Sequence, residues 1–163
     1  MSFLNKFALT LNRLLMAIGC GLLMVMIFLT CANIFLRAVW VPIPGTYELM
    51  GYFGAVLTAF ALGYTQIRRG HISVDLVVTG FSPRGQRILE GINAFICMAF
   101  FGLVAWRITR LGTTLWQTGE VTETLRIVYY PFVYGVALGC ATLSLIFLTN
   151  LIESLIPAKE ETP

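Results

Sequence analysis

The chain carries few side chains that could do chemistry, and they are widely spaced. The single histidine, His71, stands four residues before Asp75, directly after Arg68 and Arg69. On a helix, residues four apart share a face and can hydrogen-bond. Such a pair serves either an interfacial polar network or proton handling. One histidine cannot ligate a bis-His haem. The four cysteines, Cys20, Cys31, Cys97 and Cys140, are isolated, with no C-x-x-C pair, so thiol–disulfide exchange is not expected and each reads as a small apolar residue. No zinc spacing, phosphate loop or nucleophile constellation occurs, and no cofactor is expected. Glu48, shortly after Pro44-Gly45-Thr46, fits the first turn of a helix, where the macrodipole favours a carboxylate. Arg37 lies across the short preceding loop as its candidate partner.

The elements that hold these residues follow from composition. Of 163 residues 58% are hydrophobic and only 12% charged, and mean hydropathy is +0.83. Soluble domains carry roughly 25% charge, and one this apolar would expose large aggregating patches. An all-α integral membrane protein remains, with one four-helix domain over residues 1–163. Apolar stretches long enough to span a bilayer occur at about 14–36, 49–67, 88–106 and 127–152. The third is free of charge only from residue 91. Ser82-Pro83 reads as an N-cap followed by proline at the first helical position, which leaves Glu90 at the interface. The 38–47 connection makes the first two spans antiparallel neighbours. The stretches 68–87 and 107–126 read as charged connections. The apolar run after Lys6 and Arg13 exceeds a signal-peptide core, so the first span is expected to be retained.

Lys6, Arg13, Arg68, Arg69, Arg84, Arg87 and Lys159 fall on one side, against Arg37, Arg107, Arg110 and Arg126 on the other. The positive-inside rule places both termini in the cytoplasm. Trp40, Trp106 and Trp116 then gather on the outer side as an aromatic belt. No basic patch with interleaved aromatics points to nucleic acid. The spans as bounded by uncharged sequence hold no Asp, Glu, Lys, Arg or His. Ionisable residues within a bilayer mark proton relays and ion pathways, so an autonomous proton-coupled transporter is not expected. Pro131 fits the start of the fourth span.

Gly51, Ala55, Ala59 and Gly63 recur every four residues, and Gly135 and Gly139 form a G-x-x-x-G pair. Small residues so spaced let helices approach closely. They serve packing either inside this bundle or against a partner subunit. Asn33, Thr58, Asn93, Thr142, Ser144 and Asn150 are the polar candidates for lining a pore, the requirement of a second reading as a homo-oligomeric channel or small transporter.

Taken in order, Arg37, a proline-containing loop, Glu48-Leu49, a small-residue-rich span, the HISVD run from His71 to Asp75 and then Pro83-Arg84 resemble a known family. They are similar to the small membrane (Q) subunit of tripartite ATP-independent periplasmic (TRAP) transporters. Residues 124–127 with Tyr129 and Tyr130 are similar to the family's segment before the last span, with Val128 where the family has a proline. The resemblance implies a non-catalytic subunit in the bacterial inner membrane. Its implied partners are a large multi-span membrane subunit, a periplasmic substrate-binding protein and membrane lipids. The large subunit would import an organic acid on a sodium gradient. The small one would enlarge its fixed scaffold, with Arg37, Glu48, His71 and Asp75 as motif residues.

Overall fold

A computed structural model of the chain describes residues 2–67 and 83–155. Within them the protein is all-helical: α1 Ser2–Val39, α2 Thr46–Ile67, α3 Pro83–Thr118 and α4 Tyr130–Leu155. Pro83 and Pro131 occupy opening turns, where a missing N–H breaks no helical bond. The stop after α1 coincides with Pro42 and Pro44, and Thr46 begins α2 with its hydroxyl donating to Ile43 O (2.9 Å).

Helices successive in the chain run in alternating directions. Across α1 and α2, Gly63 faces Asn12, Gly19 faces Leu57, Gly54 faces Met26, and Thr30 donates to Met50 Sδ. The order is reversed, so the two are antiparallel, as the short connection requires. Gly91 against Ser154, Gly102 against Ser144 and Gly112 against Tyr134 make α3 and α4 antiparallel too. By contrast Val56 against Gly135 and Ala59 against Gly139 set α2 and α4 parallel.

The core has two parts, and α4 contributes to both. Leu15, Val56 and Phe60 are buried together, with Leu11, Leu22, Phe132 and Val136 around them. Ala94, Leu143 and Phe147 form the second cluster, with Leu62, Met98 and Phe101. Within its most apolar stretch α4 is 44% buried, whereas the corresponding stretches of α1 and α3 are only 11% buried. The outer helices therefore turn most of their apolar surface outward: Phe28, Ile34 and Phe35 on α1, and Ile92, Phe95 and Ile96 on α3 are all exposed. That surface suits hydrocarbon or another membrane protein and not water.

Among the described residues three helices, α1, α3 and α4, are long and apolar enough to cross a membrane. The most apolar stretch of α2 is less apolar than theirs, because Tyr52, Tyr64, Thr65 and Gln66 dilute it. It lies between α1 and α4. The observed helices also outrun the expected spans. Helix α1 begins at Ser2 and carries Lys6 and Arg13 on its opening turns. Helix α3 continues through Arg107 and Arg110 to Thr118, so more than half of the supposed 107–126 connection is helical. No breaker interrupts it there. Thr109, Thr114 and Thr118 return their hydroxyls to carbonyls four residues back, and Leu115 is buried on the inner face. It ends at Gly119, whose φ of 66° permits the left-handed cap and whose N–H bonds Leu115 O (3.1 Å).

Candidate functional site

At one end of the bundle the α1–α2 connection meets the segment before α4. Residues 121–128 form a closed turn. Thr122 N–H bonds Ile127 O, Arg126 N–H bonds Thr122 O, and Val121 pairs with Val128 in an isolated antiparallel bridge. Arg126 takes a left-handed conformation, φ 51°, to close it. The amides of Thr124 and Leu125 are thereby both turned toward α2. Glu48 accepts them, one on each oxygen, at 2.8 and 3.3 Å. Leu125 in turn sits where a side chain on Gly45 would be, and Gly45 has a φ of 72°. Only glycine meets both conditions.

Glu48 is thus in the first turn of α2, as its sequence context predicts, but its partner differs from the expected one. Among the described residues no ion pair joins it to Arg37. The two main-chain donors of the 121–128 turn already engage both carboxylate oxygens. Arg37 is exposed and lines, with Asn33, Tyr47, Glu48 and Thr124, a cleft of about 420 Å³. Asn33 is also occupied: its Oδ1 accepts Ile43 N–H at 2.9 Å, pinning the α1–α2 connection. Desolvation raises the Glu48 pKa, but hydrogen bonds from the Thr124 and Leu125 backbone and from the Thr124 and Thr122 side chains outweigh it, so the pKa lies below its ordinary 4.5. A depressed carboxylate pKa contributes stability above the unfolded-state pKa, and the contribution is lost as pH falls through the folded value. The tether therefore holds throughout neutral and mildly acidic pH and loosens only below about 4.5. A Glu48→Gln protein keeps one acceptor and turns an NH2 toward the second amide. Hydrogen exchange at Thr124 and Leu125 is expected to accelerate, with exchange in α4 unchanged. Unchanged protection of both amides would show that the turn holds itself.

An aromatic stack reinforces the junction. Tyr52 lies between Tyr129 (5.7 Å) and Phe132 (5.4 Å), and Tyr129 Oη donates to Glu120 at 2.7 Å. Trp40 and Trp116 are exposed at this same end, 82% and 64%, but Trp106, 51% exposed, lies deeper along α3, between Gly102 opposite Ser144 and Gly112 opposite Tyr134.

The small-residue stripe divides. Ala59 and Gly63 are buried within the bundle, whereas Gly51 and Ala55 are exposed, and nothing lies within 4 Å of a Cβ placed on Gly51. Four residues turn a helix about 40° past a full revolution, so the stripe winds off its own contact face. Gly139 meets Ala59 closely: a Cβ on Gly139 would lie 2.7 Å from Ala59 O. Gly135 meets Val56 side chains at 3.2 Å. Facing Gly63 is Asn12, 1% exposed, whose Oδ1 has no hydrogen-bond partner. The sequence reading passed over it, because an asparagine just before Arg13 reads as interfacial.

The polar pore candidates do not gather on a lumen. Thr58 and Thr142 bond their own helices, at Gly54 O and Leu138 O. Ser144 crosses to Met98 O at 3.0 Å and ties α4 to α3. Asn93 Oδ1 accepts from Cys97 Sγ at 3.7 Å. Among the described residues no group of three or more His, Cys, Asp or Glu is arranged to hold a metal ion. His71 and Asp75 lie outside the described residues.

What the geometry offers is thus a rigid helical surface with a pinned loop junction at one end. Set against known protein families, residues 26–156 match the DctQ component of tripartite ATP-independent periplasmic transporters. The match spans all of α2, α3 and α4 and the last 14 residues of α1. The chain belongs to the DctQ family. No curated protein and no solved structure shows a significant match. Membership makes this DctQ chain the small membrane component of a multi-part transporter, in agreement with the resemblance read from Arg37, Glu48-Leu49 and HISVD. A DctQ component is one part of the machine, so other subunits are implied by the family itself.

Proposed function

We propose that this chain is the non-catalytic scaffold subunit of a sodium-driven TRAP transporter in a bacterial inner membrane. It braces a large many-span subunit that imports an organic acid delivered by a periplasmic binding protein. All four helices cross the bilayer, with both termini cytoplasmic. The observation that carries this reading is the contrast between a fully internal core and two outer helices, α1 and α3, whose most apolar stretches are only 11% buried. The uncharged interiors of the spans add to it, since a transport engine needs ion-handling groups there. Proteoliposomes holding both membrane subunits and the binding protein are expected to accumulate the acid under an imposed sodium gradient. Liposomes lacking this chain are expected not to. Uptake at the full rate without it would remove the scaffold role.

On this reading Gly51 and Ala55, the exposed half of the stripe, admit a helix of the large subunit, while Ala59, Gly63, Gly135 and Gly139 close the bundle itself. Arg37 and Glu48 organise the outer junction, and His71 with Asp75 forms a cytoplasmic interfacial pair. Ala55→Leu is expected to lower the yield of the complex without changing the thermal midpoint of the isolated chain, and Ala59→Leu to lower both. Full complex yield with Ala55→Leu would place the partner on another face.

A further inference from the structure

Helix α3 is out of step with its neighbours. The middle of the uncharged stretch 14–36 on α1 falls beside Met26, which meets Gly54 on α2. The middle of the stretch 49–67 falls beside Ala59, which meets Gly139, the middle of the stretch 127–152 on α4. Three helices thus agree on one mid-level to within about 8 Å. Gly102 opposite Ser144 and Gly112 opposite Tyr134 put residues 107–111 of α3 in that band. Arg107 and Arg110 therefore stand halfway through the bundle, although the uncharged stretch of α3 itself stops at Trp106. The exposed apolar surface of α1 runs on past them. Phe35, 66% exposed, is nine residues beyond Met26, about 14 Å nearer the outer end. A bilayer that covers Phe35 also covers both arginines.

Both arginines are exposed, and among the described residues no carboxylate lies within ion-pair distance of either. Their Cζ atoms are 5.6 and 4.7 Å from the Trp106 ring centroid, a contact that attracts a cation but supplies no counter-charge. Buried Ala94 and Ala105 mark the face of α3 turned to the bundle, and exposed Phe100 and Leu103 stand with the arginines on the opposite one. Charged side chains at such a depth face protein and pair there. Headgroups are about 15 Å away, half the thickness of the hydrocarbon core, which is beyond the reach of snorkelling.

We propose that this face of α3 docks against a helix of the large membrane subunit that carries Asp or Glu at mid-depth, and that Arg107 and Arg110 pair with those carboxylates. The inference rests on the scaffold reading above. Guanidinium and carboxylate fit each other as charge-assisted hydrogen-bond partners. A second copy of this chain has no such group to offer. The stretches 14–36, 49–67 and 127–152 hold no Asp or Glu, and Glu90 lies 17 residues down α3, about 26 Å away. Lipid tails carry no anion at all. Arginine keeps its proton, so the pairing serves attachment and not ion handling.

The test isolates the tagged chain with its partner from native membranes in mild detergent. Arg107→Leu/Arg110→Leu is expected to recover about tenfold less of the large subunit, because the partner's carboxylates are left buried and unpaired. The thermal midpoint of the isolated chain is expected not to fall, since leucine makes α3 more apolar and the arginines hold nothing within the bundle. Full recovery of the partner overturns the proposal. If the double variant does not accumulate, a photoreactive benzoylphenylalanine in place of Leu103 decides with both arginines intact. Its adduct is expected on a transmembrane peptide of the large subunit that contains Asp or Glu. An adduct only with lipid, with a second copy of the chain, or with a segment lacking a carboxylate would overturn it. Recovery of no larger membrane protein by the unmutated chain would instead bring down the scaffold reading itself, and this inference with it.

Discussion

Replacing Gly139 with valine is expected to force α2 and α4 apart and to lower the thermal midpoint of the purified protein by several degrees. The first added carbon would lie 2.7 Å from Ala59 O and 2.8 Å from the Ala59 carbonyl carbon and Cβ. These are backbone and Cβ positions, which no rotamer change relieves. Overpacking of this kind costs about 1–3 kcal/mol. A glycine-to-alanine change gains only about 0.4–1 kcal/mol by restricting the unfolded chain, so even Gly139→Ala is expected to lose on balance. Gly51→Ala supplies the control, because a Cβ there meets nothing within 4 Å. It should be neutral or slightly stabilising. Equal midpoints for Gly139→Val and Gly51→Ala would mean that α2 and α4 do not meet at Ala59.

The second large effect has the opposite sign. Asn12→Leu is expected to raise the midpoint. Asn12 is 1% exposed and its Oδ1 has no hydrogen-bond partner. What faces that oxygen is the Cα hydrogen of Gly63, a contact worth at most about 0.5–1 kcal/mol. Leaving a buried acceptor unsatisfied costs about 1–3 kcal/mol. Leucine has nearly the same shape and carries no polar atom, so removal of that cost outweighs the lost contact. Ile146 lies beside the same glycine and offers the new methyl groups an apolar neighbour. A lower midpoint for Asn12→Leu would show that the oxygen is satisfied in the membrane, and that the polar group holds α1 to α2.

The helices were legible in the sequence because long uncharged runs have few alternatives in a bilayer. Their ends were less so. Helix α3 runs twelve residues past the expected end at 106, since Arg107, Arg110 and the threonines 109, 113, 114 and 118 lower hydropathy without breaking a helix. The stripe from Gly51 to Gly63 was visible as a spacing, but a four-residue repeat drifts around the helix. Which half is internal depends on where α4 lies, and only the fold supplies that. Glu48 was legible as a helix-start residue. Its bond to Thr124 and Leu125 was not, because those amides are 76 and 77 positions away in the chain. Arg37 is the nearer neighbour in sequence and yet makes no ion pair with it among the described residues. The motif pair His71 and Asp75, which carried much of the family resemblance, falls outside the described residues. The family match across residues 26–156 supports the reading independently.

The central claim is that this chain is a part and not a whole. Isolation of the tagged chain from its native membranes in mild detergent tests it most directly. The account predicts one larger, many-span membrane protein in equimolar amount with the chain. A chain recovered alone, as a stable monomer or homo-oligomer that moves a solute across liposomes by itself, would contradict it.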